Sequence, residues 1–403
     1  MAKPITKLIN LKTFREFFNS SSSGGIILLI CVVISLLIAN TNAGYAFKDF
    51  LESEFGFEGG GIGLRYSVLE WINDGLMAIF FLLVGLEIKR EIVEGELSSL
   101  KQASLPVLAA IGGVVAPALI FSLFNNGTPT SHGWGIPMAT DIAFALGIIS
   151  LLGNKVPNGL KVFLAALAIV DDLMAILVIA IFYTNDLHLN YLMYAGIVFL
   201  VLIVFNRLRI KNIFFYIIPG IIMWYLIHHS GIHATIAGVL TALTLPTTPD
   251  DSESPLEKLE HALAKPVNFI IMPIFAIANT NITFLHGMVS GLAGHLGLGI
   301  VLGLFIGKPL GIFTLSWLSV KAKIAQLPSE TNWKHVIGMG MLGGIGFTMS
   351  IFISILSFDG AIALQTEAKF AILVASLLSG IVGVTWLSLY SKKQKKKAVT
   401  ASK

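Results

Sequence analysis

The chain has 403 residues, of which 55% are hydrophobic and only 12% are charged, and its formal net charge at pH 7 is +4. An ordinary water-soluble globular protein is excluded, because about a quarter of the residues in such proteins are charged. The single cysteine, Cys31, excludes an internal disulfide and a cysteine metal site. We find no nucleic-acid-binding motif and expect no cofactor.

The hydrophobic residues come in long runs, which predict membrane-spanning helices. A helix needs about 20 residues to cross roughly 30 Å of hydrocarbon, whereas the strands of a membrane barrel would be half as long and alternating. The predicted spans are residues 24–41, 68–93, 103–124, 133–152, 158–183, 190–206, 212–228, 231–245, 257–281, 296–319, 334–358 and 366–390. We therefore predict an all-α polytopic membrane protein with about twelve transmembrane helices. They form one domain, 24–390, between an N-terminal segment, 1–23, and a basic tail, 391–403.

Basic residues predict which side of the membrane each loop occupies. If both termini lie on one side, 23 of the 27 Lys and Arg residues fall on that side and only Lys48, Arg65 and Lys369 on the other. Cytoplasmic loops carry an excess of Lys and Arg, so both termini are predicted to be cytoplasmic. The basic tail suits contact with the anionic lipids of the bilayer.

Two segments between spans stand out. The first outer loop is rich in glycine over residues 54–66, which weakens strand propensity, so a hairpin and a loose loop both remain open. The segment 246–256 is acidic and contains prolines that end the preceding helix, so we interpret it as a cytoplasmic linker.

Four charged residues lie in the middle of otherwise apolar, helix-length stretches: Asp141 in the fourth predicted span, Asp171 and Asp172 in the fifth, and Lys308 in the tenth. Each unpaired charge near the bilayer centre costs about 2.5 to 3.5 kcal/mol, so such residues indicate ion or proton traffic. Adjacent helix positions differ by about 100° around the axis, so both acids of the pair can border one cavity. Two buried carboxylates also titrate as a unit.

Oxygen atoms near this pair predict a site for a hard cation. The carboxylates of Asp171 and Asp172 and the hydroxyl of Thr140 suit sodium or lithium, and protons compete for the same carboxylate oxygens. The sequence therefore predicts exchange of an alkali cation for protons. Two buried acids that serve only helix packing are the alternative, although apolar side chains would pack at lower cost.

Helix-breaking residues interrupt the fourth span at Pro137 and the eleventh at 343–346. Paired interruptions in two halves of a chain point to a transporter's binding site, because backbone at membrane depth must be satisfied by protein or a water-filled cavity. If the two helices cross, Asp141 and Lys308 have the signs that compensate the partial charges of the half-helix ends. Direct contact of either residue with the ion is the alternative.

A weak internal repeat relates these two regions. At an offset of 208 residues, four identities pair Gly135, Thr140, Phe144 and Lys161 with Gly343, Thr348, Phe352 and Lys369. The repeat places the fourth and fifth spans opposite the eleventh and twelfth.

Several segments together resemble the bacterial NhaA sodium/proton antiporters over roughly residues 14–390: WINDGLMAIFFLLVGLEIKRE, ATDIAFALG, LAIVDDL, GIHATIAG, LEHAL, FIGKPLGIF and GGIGFTMSIF. The resemblance implies inverted-topology repeats and two crossed discontinuous helices, the fourth and eleventh. It also implies an electrogenic exchanger of the bacterial inner membrane, which expels Na⁺ or Li⁺ in return for a larger number of protons and is activated at alkaline pH. Related proteins can build a dimerising hairpin from the first outer loop, so a homodimer is open.

The resemblance also implies roles for single residues. Asp172 is similar to the central carrier of cation and proton, Asp171 to its partner, and Asp141 with Thr140 to the group that compensates the broken helices. Lys308 is similar to a lysine that pairs with the first aspartate, and whether it carries a transported proton is open. The residues similar to the pH-sensing cluster are Glu87, Glu91, Glu260 and His261, and His233 matches the histidine of the GIHAT segment.

Other interpretations remain open for the outer residues and for the whole chain. Glu87 and Glu91 also fit an ordinary solvated helix end, His233 a packing histidine, and Asp74 an interface or the lining of a funnel. An intramembrane aspartyl protease also needs buried acids on two helices, but its G-x-G-D context is missing here. A proton-coupled symporter for an organic solute, or a channel, would need more polar and aromatic groups at the midplane.

Overall fold

The computed structural model describes residues 23–59, 62–184, 187–247, 254–284 and 287–401, and the protein is mostly helical (77%). Its α-helices of four residues or more and its strands are α1 Ser23–Ala39, α2 Ala43–Glu52, β1 Glu54–Gly59, β2 Ile62–Ser67, α3 Met77–Val93, α4 Leu100–Asn125, α5 Ile142–Leu151, α6 Asn158–Phe182, α7 Leu189–Arg207, α8 Phe214–His228, α9 Ile236–Thr244, α10 Pro255–Pro266, α11 Met272–Asn279, α12 Met288–Gly291, α13 His295–Leu302, α14 Lys308–Lys321, α15 Trp333–Gly343, α16 Phe347–Ser357 and α17 Ile362–Ala401. The predicted N-terminal segment lies outside these residues except for Ser23, as do residues 248–253 of the predicted linker.

Every predicted span contains helical residues, but the predicted number of crossings is not confirmed. Within the described residues, seven helices are long and apolar enough to cross a membrane, and up to nine if each of two bent pairs counts as one span. The predicted span 231–245 shows why the two numbers differ. Its helix, α9, has only nine residues and extends about 14 Å, which is too short to cross the hydrocarbon. About twelve crossings therefore stay a prediction.

The first outer loop adopts the hairpin alternative, so the chain is not purely helical. Strands β1 and β2 pair antiparallel, with Phe55 opposite Tyr66 and Gly56 opposite Arg65. Gly56 has a φ of +140°, and a Cβ there would lie 1.9 Å from a backbone oxygen of β2. The expectation that glycine weakens this strand was incomplete, because one glycine is required by the pairing, and the rings of Phe55 and Tyr66 each pack on Trp71 with centroids 5.8 Å apart.

Both interrupted segments occur where helix-breaking residues predict them. A 3₁₀ helix, Ser131–Met138, ends in extended backbone at Ala139 before α5 begins. The second interruption separates α15 from α16, which are bent by 47° relative to each other. Three π-helical turns, Trp71–Leu76, Val267–Ile271 and Gly303–Gly307, precede α3, α11 and α14. Such turns often occur at functional sites.

Helix α6 is the central helix of the protein. In the most apolar 18 residues of α6, 67% of the residues are buried inside the protein. The corresponding share in α7 is 11%, and the exposed apolar side chains of α7 suit contact with lipid. Asp171 and Asp172 of α6 are therefore held within protein and not against lipid.

A close crossing of α4 and α14 carries Lys308 toward α6. Gly112 and Gly311 meet there, and a Cβ added to Gly311 would lie 1.9 Å from the Gly112 carbonyl oxygen. Only glycine allows this approach of two backbones. Because Lys308 lies three residues before Gly311, on the same face of α14, the crossing directs its side chain inward.

Candidate functional site

Asp171 and Asp172 lie at the middle of α6, and neither is more than 1% exposed. The Oδ1 atom of each has no hydrogen-bond partner among the described residues. A buried polar atom without a partner costs about 1–3 kcal/mol. A cation or a proton bound to these oxygens would remove that cost, so the pair has the capacity for a ligand.

Lys308 forms a buried ion pair with the first aspartate. Its Nζ atom donates to Asp171 Oδ2 at 2.5 Å, and both side chains are fully buried. It also donates to the carbonyl of Met138, the last residue of the 3₁₀ helix. The ammonium therefore contacts both the acid pair and the carbonyl end of an interrupted helix, so the two roles predicted for it are compatible.

Asp141 joins the N-terminal ends of two helices. Its Oδ1 accepts from the backbone N–H of Phe144 at 2.9 Å and so caps α5. Its Oδ2 accepts from the backbone N–H and the hydroxyl of Thr348, in the first turn of α16, at 3.2 and 2.5 Å. A carboxylate at the positive ends of two helices has the sign that compensates them.

Thr140 links the same two interruptions to the acid pair. Its hydroxyl oxygen lies 2.7 Å from Asp171 Oδ2 and 2.8 Å from the carbonyl oxygen of Gly343, so its single proton can be donated to either. The backbone N–H of Asp141 also donates to the carbonyl of Ile345 at 2.7 Å. The two interrupted segments therefore contact each other at their breaks, directly beside α6.

A polar cavity of about 330 Å³ reaches the second aspartate, and we call it the inner cavity. It is lined by Asp172, Asp141, Glu87 and Thr348, with side chains of α1, α3, α5, α11 and α16 around them. Asp171 is not among the lining residues. The two acids therefore have different environments: Asp172 lies beside the cavity, and Asp171 is bound to Lys308.

The residues implied in pH sensing gather where α3 meets α10. Arg90 donates through Nε to both carboxylate oxygens of Glu260, at 3.1 and 2.9 Å, and its Nη1 lies 3.3 Å from Glu91. Glu87 lies on the same helix and lines the inner cavity. His261 is exposed on α10, next to Glu260. The Arg90–Glu260 pair joins two helices, which an ordinary solvated end of one helix would not do.

Asp74 and His233 lie in a second cavity, of about 290 Å³, which we call the outer cavity. His233 Nε2 is 3.4 Å from Asp74 Oδ1, and His228 Nδ1 is 3.7 Å from Asp74 Oδ2. His233 Nδ1 lies 3.0 Å from the hydroxyl of Thr235. Asp74 therefore lines a cavity, which was one of the two alternatives left open for it. His233 has a contact at each of its ring nitrogens.

Thr348 is the contact residue that sequence reasoning passed over. The internal repeat had already paired it with Thr140, and each of these threonines donates toward a buried aspartate, Thr348 toward Asp141 and Thr140 toward Asp171. The repeat was therefore the signal that could have identified it.

The contacts argue against a protease. An aspartyl dyad needs two carboxylates close enough to share one proton. Asp141 is instead engaged with helix ends and Asp171 with Lys308. The carboxylates and the hydroxyl of Asp172, Asp141 and Thr348 line one cavity, and such oxygen atoms suit a hard cation.

Known proteins similar to the chain agree with this chemistry. Residues 15–387 match the family described as Na⁺/H⁺ antiporter 1. The chain is 68% identical over 389 residues to Na⁺/H⁺ antiporter NhaA 2 of Flavobacterium johnsoniae, covering 96% of this chain and 95% of that protein. It is 49% identical over 395 residues to Na⁺/H⁺ antiporter NhaA of Dechloromonas aromatica, with coverage of 97% and 99%.

A solved structure extends the comparison to the fold. The sodium proton antiporter MjNhaP1 from Methanocaldococcus jannaschii matches with a TM-score of 0.56 at 13% sequence identity, over 95% of this chain and 98% of that one. At this identity the likeness concerns the fold alone. The chain therefore belongs to the Na⁺/H⁺ antiporter 1 family and is a multi-pass bacterial membrane transporter, not an enzyme.

Proposed function

We propose that the chain is an electrogenic antiporter that expels Na⁺ or Li⁺ in return for protons, and that cation and protons compete for Asp171 and Asp172 at the membrane midplane. The observation that carries the proposal is the asymmetry of the pair. Asp172 lines the inner cavity, while Asp171 is outside its lining and bound to Lys308. Both acids keep an Oδ1 atom without a hydrogen-bond partner among the described residues, but only that of Asp172 belongs to a residue of the cavity.

Competition follows from the chemistry of a carboxylate. Ionised Asp172 offers a negative charge and oxygen ligands to a hard cation, and a proton on the same oxygen removes both. The hydroxyl of Thr140, 2.7 Å from Asp171, supplies a further oxygen close to the pair. A site of this kind releases its cation when it is protonated and takes up the cation when it is deprotonated.

Asp171 gives the exchange its second titrating group. Its pairing with Lys308 balances one charge while Asp172 is occupied by a cation. If both acids bind protons for each cation released, more positive charge enters than leaves, and transport is electrogenic.

The interrupted helices supply the frame of this site. We propose that they are the crossed fourth and eleventh helices of two inverted-topology repeats, within about twelve crossings of the bacterial inner membrane and with both termini in the cytoplasm. Asp141 holds their N-terminal ends together through Phe144 and Thr348, which favours compensation of helix dipoles over cation binding for this residue.

Regulation by pH is the remaining part of the proposal. Glu87, Glu91, Glu260 and His261 act as a sensor that activates exchange at alkaline pH. The support is their position, because Arg90 ties α10 to α3 through Glu260, and Glu87 lies on α3 at the inner cavity.

Sodium-dependent proton movement in everted membrane vesicles tests the proposal. Asp172→Asn and Asp171→Asn should each abolish it while the amount of protein in the membrane stays unchanged. Asp49→Asn, which replaces an exposed acid on α2, is the matched control and should exchange normally. Normal exchange by both variants of the pair would falsify the proposed site.

A further inference from the structure

Another cavity lies between α4 and α6, at the ends of these helices that we propose to be cytoplasmic, and we call it the α4–α6 cavity. Its volume is about 770 Å³, more than twice that of the inner cavity. Its lining comes from three segments, 96–106, 159–166 and 326–329. It shares no lining residue with the inner or the outer cavity, so it is separate from the proposed cation site.

The end of this cavity nearest the cytoplasm is polar. It is lined by the start of α4 and by the loop between α14 and α15, and its polar residues are Glu96, Ser99, Lys101, Gln102, Gln326 and Ser329. Lys101 and Glu96 belong to none of the ion pairs among the described residues. The ammonium of Lys101 is therefore available to a ligand.

The loop between α14 and α15 closes the polar end against both helices. The hydroxyl of Ser104 on α4 donates to the carbonyl of Ile324 at 3.3 Å. At the start of α6, a Cβ added to Gly159 would lie 3.0 Å from the carbonyl oxygen of Ser329, so the loop rests directly on this helix. The polar end is thus a formed pocket with walls on three sides.

The opposite end of the cavity is apolar. Leu105 and Pro106 line it from α4, and Val162, Phe163 and Ala166 line it from α6. Ala166 lies eight residues after the first residue of α6, which corresponds to a rise of about 12 Å toward the bilayer centre. Val162 is 44% exposed on a membrane-spanning helix, so this end opens toward lipid.

The segments that form the cavity carry more positive than negative charge. Residues 94–104, 153–166 and 321–331 contain five lysines and three glutamates. One of these acids, Glu94, accepts a hydrogen bond from the hydroxyl of Thr247 and is engaged elsewhere. Basic pockets between helices on the cytoplasmic side of a membrane suit anionic lipid head groups.

We propose that the α4–α6 cavity binds one anionic phospholipid of the cytoplasmic leaflet, such as phosphatidylglycerol. Its phosphate lies beside Lys101, and one acyl chain lies against Val162 and Ala166. A soluble anion would fill only the polar end and leave apolar surface in contact with water, which is unfavourable. A phospholipid is amphipathic in the same direction as the cavity, so it satisfies both ends.

The bound lipid would contact helices that carry the proposed cation site. Ala166 lies five residues before Asp171 on α6, and α4 forms the glycine crossing that directs Lys308 inward. A lipid in this cavity would therefore fill the space between the two helices at their cytoplasmic ends.

Photocrosslinking in lipid nanodiscs tests the site. The purified full-length protein would be placed in phosphatidylcholine nanodiscs that contain phosphatidylglycerol with a diazirine on one acyl chain, and the adducts would be located by mass spectrometry. We expect adducts on residues 102–106 and 159–166. A phosphatidylcholine probe with the same diazirine should give about fivefold fewer adducts, because it has no net charge for Lys101 to attract.

Two substitutions at exposed positions test the two ends of the cavity separately. Lys101→Gln should reduce phosphatidylglycerol adducts by about fivefold at a probe concentration below saturation. Val162→Trp fills the apolar end from its lipid-facing side and should abolish the adducts. Lys258→Gln, at an exposed lysine of α10 that does not line this cavity, is the matched control and should leave them unchanged.

The outcomes bear on the lipid site and not on the exchange mechanism. Selective adducts that both substitutions reduce support the site. Equal labelling by the two probes, or labelling that either substitution leaves unchanged, overturns it. Loss of the adducts on addition of soluble glycerol phosphate would assign the polar end to a soluble anion and would also overturn it. None of these results depends on the exchange measured with Asp171→Asn and Asp172→Asn.

Discussion

Replacing Lys308 by methionine removes the ammonium that contacts Asp171. The Nζ–Oδ2 distance is 2.5 Å and both side chains are fully buried. Removing one partner of a buried ion pair destabilises a protein by about 3–5 kcal/mol, because the other charge stays buried and uncompensated. Asp171 would retain the hydroxyl of Thr140 as a donor. We therefore expect Lys308→Met to lower the free energy of unfolding by about 3–5 kcal/mol.

A double-mutant cycle measures this pair. Replacing both charges by apolar side chains of similar volume is often neutral, so Lys308→Met combined with Asp171→Leu should be more stable than either single variant. Unfolding free energies can be measured in mixed micelles by titration with sodium dodecyl sulfate. Lys48→Met, at a 60% exposed lysine, is the control and should cost about 0–1 kcal/mol. Additive single effects, within about 0.5 kcal/mol, would refute the reasoning.

Two further substitutions test the packing and the pH cluster. Gly311→Ala should destabilise by about 1–3 kcal/mol in the same unfolding assay, because its Cβ would overlap the backbone of α4. Gly196→Ala, a glycine of α7 with open space around it, should not destabilise, and equal stability of the two variants would contradict the crossing. Glu260→Gln removes the charge that Arg90 holds and should move the pH of half-activation in vesicles by about one unit, with little change in maximal rate. Glu257→Gln, on the same helix, is its control, and coinciding profiles would count against a sensor.

The candidate site could be predicted largely because burying its charged residues in apolar segments costs free energy. Asp141, Asp171, Asp172 and Lys308 stand out in apolar segments, since a charge in such a segment carries a free-energy cost that no packing role requires. The interruptions were visible for a similar reason, because proline and clustered glycines do not continue a helix. These signals are local, and a single sequence displays them.

The packing of aromatic side chains had no comparable signal. The chain contains 27 phenylalanines, most of them in apolar segments where any of them would suit a membrane helix, so nothing local predicts that Phe352 packs on Phe81 and Phe275. The hairpin was equally ambiguous, because its glycines argue against a strand until the pairing of Gly56 is known.

The amino-acid sequence by itself determined that this is a helical membrane protein, where its buried charges lie and where two helices break. Composition, hydrophobic length and single-residue conformational limits decide those properties within a few turns of chain. The tertiary structure decided contacts that no local pattern gives: Thr348 contacts Asp141 across 207 positions, and Lys308, which the family resemblance already paired with the first aspartate, contacts Asp171 across 137. Such contacts depend on how closely the helices cross, as α4 and α14 do at Gly112 and Gly311. The distance between two helices is set by the side chains of both, so one segment of the sequence does not determine it.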